Sequence, residues 1–138
     1  MITRQTISEL QKEAKPLKLE LAIFGLKMDR EAHRQAIAIR VEKMLEKGLV
    51  KEVQSLLDHG PTPKHQAYRT IGIPETEAFL KNDITYKELK KMLTSNTWSL
   101  AKRQMAWFKR DLNITWIDVT GKLPGQVATC IQSALEEK

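Results

Sequence analysis

Apolar residues fall along this chain in two rhythms, short unbroken blocks and stretches repeating every three or four positions, and together they predict strands set among helices. Residues 19–26, carrying Leu19, Leu21, Ile23, Phe24 and Leu26, are short, apolar and broken by Gly25, which reads as a strand. Asp29 is placed to cap a helix to about residue 47, with Ile37, Val41, Met44 and Leu45 on one face and Gly48 as its terminator. A shorter helix follows over residues 49–57. Gly60, Pro61, Thr62 and Pro63 read as a loop, and the stretch to Arg69 has no period, which suits a segment that orders against a ligand or another domain. Pro74, a favourable first-turn residue, precedes a helix over residues 75–80. Thr85 and Glu88 form a capping box for a long helix from about Tyr86 to Asp111. Residues 114–119 are a second strand, and Pro124 opens a last helix to about Glu136. The fold class is therefore α/β, predominantly helical. Two strands do not make a covered parallel sheet by themselves, so this pattern asks for more sheet than it contains.

The long helix carries the candidate chemistry. Lys90, Lys91, Lys102, Arg103, Lys109 and Arg110 supply cations that phosphates attract, Gln104 and Arg103 can reach base edges, and Trp107 can stack. Spacing alone favours a plainer reading, an amphipathic helix whose Trp107 and Phe108 are core and whose cations are solvated. Composition moves the balance little. The chain has 138 residues, 41% apolar and 29% charged, which is one ordinary globular domain, and its net charge of +6 favours polyanions over acidic ligands. The single Cys130 excludes an internal disulfide and reads as a small buried residue of a protein from a reducing compartment. His33, His59 and His65 lie apart without metal-ligand spacing, so no metal is assigned to them. No apolar run is long enough to span a membrane, and a cytoplasmic location without membrane partners is expected.

Several landmarks in order change that weighting. Asn96 and Thr97, the run from Leu100 to Gln104, and Trp107 with Phe108 resemble the C-terminal signature of the tRNA dimethylallyltransferases. Residues 7–11, the Arg40 to Leu45 run with residues 48–53, and Arg69-Thr70-Ile71-Gly72 with Glu75 are similar to further family segments, in register to about residue 118. The resemblance covers the second half of that family. It implies a C-terminal portion of a P-loop NTPase-like fold, in which the strands join an otherwise missing parallel sheet and residues 1–138 form one unit lacking the nucleotide-binding-like half. The six glycines are isolated and form no phosphate-binding loop, so this chain alone is expected not to bind dimethylallyl diphosphate tightly or ionise it.

The resemblance also implies a site. Arg69, Thr70, Ile71, Gly72, Ile73 and Pro74 match one tRNA-contacting segment, where Gly72 would allow close backbone approach. Lys102, Arg103, Gln104, Met105, Ala106, Trp107, Phe108 and Lys109 match a second, with phosphate positioning the favoured role of the cations. Arg40 matches an arginine that reaches toward the diphosphate or the tRNA backbone; a surface ion pair with acids near Asp29 is its other reading. The chain departs from the family where Ile73 and Pro74 replace an aromatic and a basic residue, and where Ala36 and Trp98 stand at usual arginine positions. No catalytic residue is expected here. The implied function is tRNA grip and channel wall for an enzyme moving a dimethylallyl group to N6 of the adenosine 3′ of the anticodon. The implied partners are tRNA and possibly a separate N-terminal half, with Mg2+ and dimethylallyl diphosphate belonging to the complete enzyme. A stand-alone RNA-binding or partner-binding module, or an inactive gene remnant, is the alternative.

Overall fold

The computed structural model of this protein describes residues 21–60 and 66–136. Its elements run β1 (Ile23–Lys27), α1 (Arg30–Glu46), α2 (Leu49–His59), a 3-10 turn (Gln66–Arg69), α3 (Ile73–Leu80), α4 (Tyr86–Phe108), β2 (Ile114–Asp118) and α5 (Pro124–Glu136). Asp29 caps α1 as its residue type and position predict, its Oδ2 accepting from the backbone N–H of Glu31 at 2.9 Å and of Ala32 at 3.2 Å. Gly48 divides α1 from α2 because its φ of +99° lies where side chains with a Cβ are disfavoured. At the start of α4, Thr85 and Glu88 cap each other reciprocally, with Thr85 N–H donating to Glu88 Oε2 at 2.8 Å.

The strands pair with each other in parallel, Gly25 opposite Trp116 and Leu26 opposite Ile117. β1 is shorter than the apolar block implies: Leu21 and Ala22 lie before it, and positions 19 and 20 fall outside the described residues. Parallel pairing agrees with the expectation of a parallel sheet, and both strands remain half-buried to exposed, with Ile23 and Leu26 open to solvent.

The helices build the core between themselves. Ile37, Val41 and Leu45 recur every four residues on α1 and meet Leu89 and Leu93 of α4, all five buried, while Phe79, Ile84, Leu49 and Ile71 pack around them. Lys90 Nζ and Glu42 form an ion pair across the same two helices at the surface. Several boundaries differ from the sequence pattern: α2 runs on to His59 instead of ending at residue 57, and β2 stops at Asp118 instead of residue 119. α3 begins at Ile73 instead of residue 75, and α4 ends at Phe108, leaving Lys109 as its cap and Arg110 beyond it. Residues 61–65 of the proline loop are outside the described residues, and the aperiodic stretch after them includes the 3-10 turn up to Arg69.

Candidate nucleic-acid interface

α4 has two environments along its length. Leu89 and Leu93 are buried, whereas Leu100 is 39%, Phe108 43% and Trp107 67% exposed. The plain amphipathic reading therefore fails at Trp107, which is a surface ring.

Where α4 leaves the core it forms one wall of a cleft of about 620 Å³. The floor is apolar, made by Ile37 and Val41 of α1 and Leu93 of α4. Arg40 from α1, Arg69 and Thr70 from the 3-10 turn and the residue after it, and Thr97, Arg103 and Gln104 from α4 rim it. Three stretches of chain separated by tens of residues thus deliver guanidiniums to one opening. Among the described residues no carboxylate lines it and Arg40, Arg69 and Arg103 make no ion pair, so Arg40 is not paired with the acids near Asp29. Uncompensated guanidiniums beside an apolar floor of this volume suit a group that carries negative charge and a flat apolar face together.

The remaining residues of the two expected segments divide by helical geometry. Lys102, Met105, Ala106 and Lys109 line a neighbouring cleft of about 380 Å³ with Arg30, His33 and Trp98, about a third of a turn around α4 from Arg103. There the Trp98 ring meets His33 edge-on with centroids 5.6 Å apart, and the Arg34 guanidinium sits 5.8 Å over it. Phe108, with Gln104 and Met105, faces the strands across a third opening of about 320 Å³ that reaches Gly25 and Trp116. Trp107 stacks edge-on against Phe108 at 4.9 Å and otherwise faces solvent.

On the turn, Arg69 and Thr70 are exposed and Gly72 is buried with φ +114°. Ile73 is core and opens toward α2 through a neighbouring cleft with Val53 and Leu56, which shares Leu49, Thr70 and Ile71 with the arginine cleft but is lined by no arginine of the described residues, while Pro74 is exposed. Sequence reasoning missed His33 and Met44 as wall residues; with Ile37 and Arg40 they follow a spacing of four, three and four on α1, the same stripe pattern that Leu93, Thr97, Leu100 and Gln104 follow on α4.

Comparison with known proteins meets this geometry. The family model described as IPP transferase matches residues 1–111, most of the chain and every stretch that rims the cleft. The chain belongs to the IPP transferase family. Among curated relatives it is 41% identical over 114 residues to the tRNA dimethylallyltransferase of Bdellovibrio bacteriovorus, covering 83% of this chain and 37% of that protein. It is 33% identical over 138 residues to the Bacillus cereus enzyme of the same name, covering 99% of this chain and 43% of the relative. The full-length tRNA isopentenylpyrophosphate transferase of Bacillus halodurans superposes with a TM-score of 0.76 at 31% identity, over 84% of this chain and 38% of that one. A tRNA delta(2)-isopentenylpyrophosphate transferase from Staphylococcus epidermidis gives the same TM-score at 26% identity, over 95% and 42%. The chain spans about two fifths of the length of these IPP transferase relatives. Their P-loop NTPase-like fold is the one to which its α/β elements correspond.

Proposed function

We propose that this chain is the tRNA-gripping portion of a tRNA dimethylallyltransferase, which transfers a dimethylallyl group from its diphosphate to N6 of the adenosine 3′ of the anticodon. One observation carries the reading: Arg40, Arg69, Arg103 and Gln104, drawn from three separate elements, rim a single cleft that no carboxylate of the described residues lines. Their guanidiniums bind phosphates of the anticodon arm, and the apolar floor of Ile37, Val41 and Leu93 receives a flat or prenyl group that water solvates poorly. Lys102 and Lys109 extend the cationic track over α4, and Trp107 offers a face for stacking. Taking an adenosine out of its loop costs unstacking energy, which these backbone contacts offset.

Mg2+ fits none of this. The rim is cationic, and among the described residues no three His, Cys, Asp or Glu side chains converge to hold a metal. Ionisation of dimethylallyl diphosphate therefore belongs to the rest of the enzyme, and the chain's own residues bind, orient and shield.

The test is the affinity of the 138-residue chain for a synthetic anticodon stem-loop RNA across a salt series. Arg69→Ala, Arg103→Ala and Arg40→Ala are each expected to weaken binding and to flatten the slope of log affinity against log salt by about one unit. Slopes equal to that of the unsubstituted chain would overturn the reading.

A further inference from the structure

The cleft's two walls are joined by a carboxylate that does not line it. Glu75, in the first turn of α3, is 4% exposed, and its two oxygens are spent on two different partners. Oε2 accepts the backbone N–H of Gly72 at 2.8 Å, at the end of the turn that carries Arg69. Oε1 accepts Asn96 Nδ2 at 2.6 Å, from the stretch of α4 that places Thr97 and Arg103. Gly72 is held at φ +114°, so its amide is aimed by a backbone shape that other residues resist. Neither partner is charged. Two neutral donors on one buried carboxylate define a bridge of fixed length, because an ion lacking either donor would be left uncompensated in the interior.

From this geometry we infer that Glu75 and Asn96 are positioning residues for RNA recognition, fixing the Arg69 wall at a set distance from the Arg103 wall. The inference rests on the RNA-binding reading of the cleft. Distance matters because guanidiniums that meet successive phosphates must match their spacing before the RNA arrives; otherwise ordering them weakens binding. The bridge is not itself a contact surface, and its loss separates the walls without removing a cation.

Exchange of donor and acceptor tests it. Asn96→Asp sets two carboxylates against each other and is expected to weaken stem-loop binding about tenfold, within the usual range of coupling between linked sites. Adding Glu75→Gln to Asn96→Asp restores one donor and one acceptor and is expected to recover affinity. Glu75→Gln alone is expected to bind nearly as the unsubstituted chain does, since the Asn96 amide can turn to present its oxygen. Asn96 is itself exposed, so Asn96→Ala keeps the fold and gives a milder loss of the same sign.

Hydrogen exchange at the Gly72 amide, measured without RNA, reports the bridge separately. It should quicken in Asn96→Asp and slow again in the double variant. Unchanged exchange and affinity in Asn96→Asp, with Arg69→Ala and Arg103→Ala still weakening binding, overturns the bridge and leaves the RNA reading standing. Quickened exchange with no response of binding to either arginine keeps the bridge as structure and overturns both the RNA reading and the role assigned here. A loss in Asn96→Asp that Glu75→Gln fails to rescue also overturns the inference.

Discussion

Gly25→Ala is the perturbation whose cost can be worked most directly from this structure. A Cβ built on Gly25 would stand 2.7 Å from Ile114 Cγ2 and 2.7 Å from both Cε3 and Cζ3 of Trp116, its partner across the β1–β2 pair. Ordinary carbon contacts are about 3.5–4.0 Å, so one of these groups must withdraw by roughly 1 Å. Neither yields easily. The γ2 methyl belongs to a β-branched side chain whose χ1 is restricted, and the Trp116 ring atoms move only if the whole indole swings toward the opening shared with Gln104 and Phe108. Overpacking of this kind costs about 1–3 kcal/mol. Urea unfolding followed by far-ultraviolet circular dichroism reads that loss, and the Trp116→Ala background supplies the control. With the ring gone the glycine substitution should cost distinctly less, a coupling of about 1 kcal/mol between the two positions. Equal cost in both backgrounds, or no cost in either, would refute the argument that Trp116 occupies the space the missing side chain leaves.

Leu89→Ala should destabilise the chain by about 2–5 kcal/mol in the same assay, because Leu89 is fully buried at the α1–α4 contact. Thr85→Ala should cost about 1 kcal/mol through loss of the α4 cap. The same cap sets a pH response: hydrogen bonds from the Thr85 backbone and hydroxyl hold the Glu88 carboxyl below its ordinary value of 4.5. A carboxyl depressed on folding contributes stability that is present above the unfolded value and lost as pH falls through the lower folded one. Melting midpoints measured downward from pH 5 should therefore fall less steeply in Glu88→Gln than in the unsubstituted chain, and parallel curves would contradict this.

Helices were legible wherever a local signal sufficed. Asp29, Gly48, Thr85 with Glu88 and Pro124 marked real boundaries because each acts on backbone within a turn of itself. The missed boundaries are ones that local signals do not decide. β1 begins at Ile23 because pairing with Ile114 starts there, and no apolar count within residues 19–26 contains that register. The end of α4 at Phe108 is likewise unmarked, since Lys109, Arg110 and Asp111 all tolerate helix. For the site, family resemblance named stretches that line these clefts but not their division among them. Lys102 and Arg103 are neighbours in sequence, yet 100° of helical turn sends them to different clefts. Glu75 and Asn96 were visible as residue types, but their bond joins positions 21 apart and exists only once α3 and α4 are packed.

The anchoring of α4 at one end makes it a lever. Its buried leucines lie near its start, its packing on the core reaches Trp98 and Ala101, and at 1.5 Å per residue Lys109 stands about 12 Å beyond Ala101. A tilt of about 5° at the anchor, too small to disturb the core contacts themselves, carries that tip sideways by about 1 Å over such an arm, enough to stretch a hydrogen bond beyond its usual range. Substitutions deep between α1 and α4 can thus alter what the far end reaches while every residue there stays native, and a screen for weakened binders should recover core leucines alongside surface arginines.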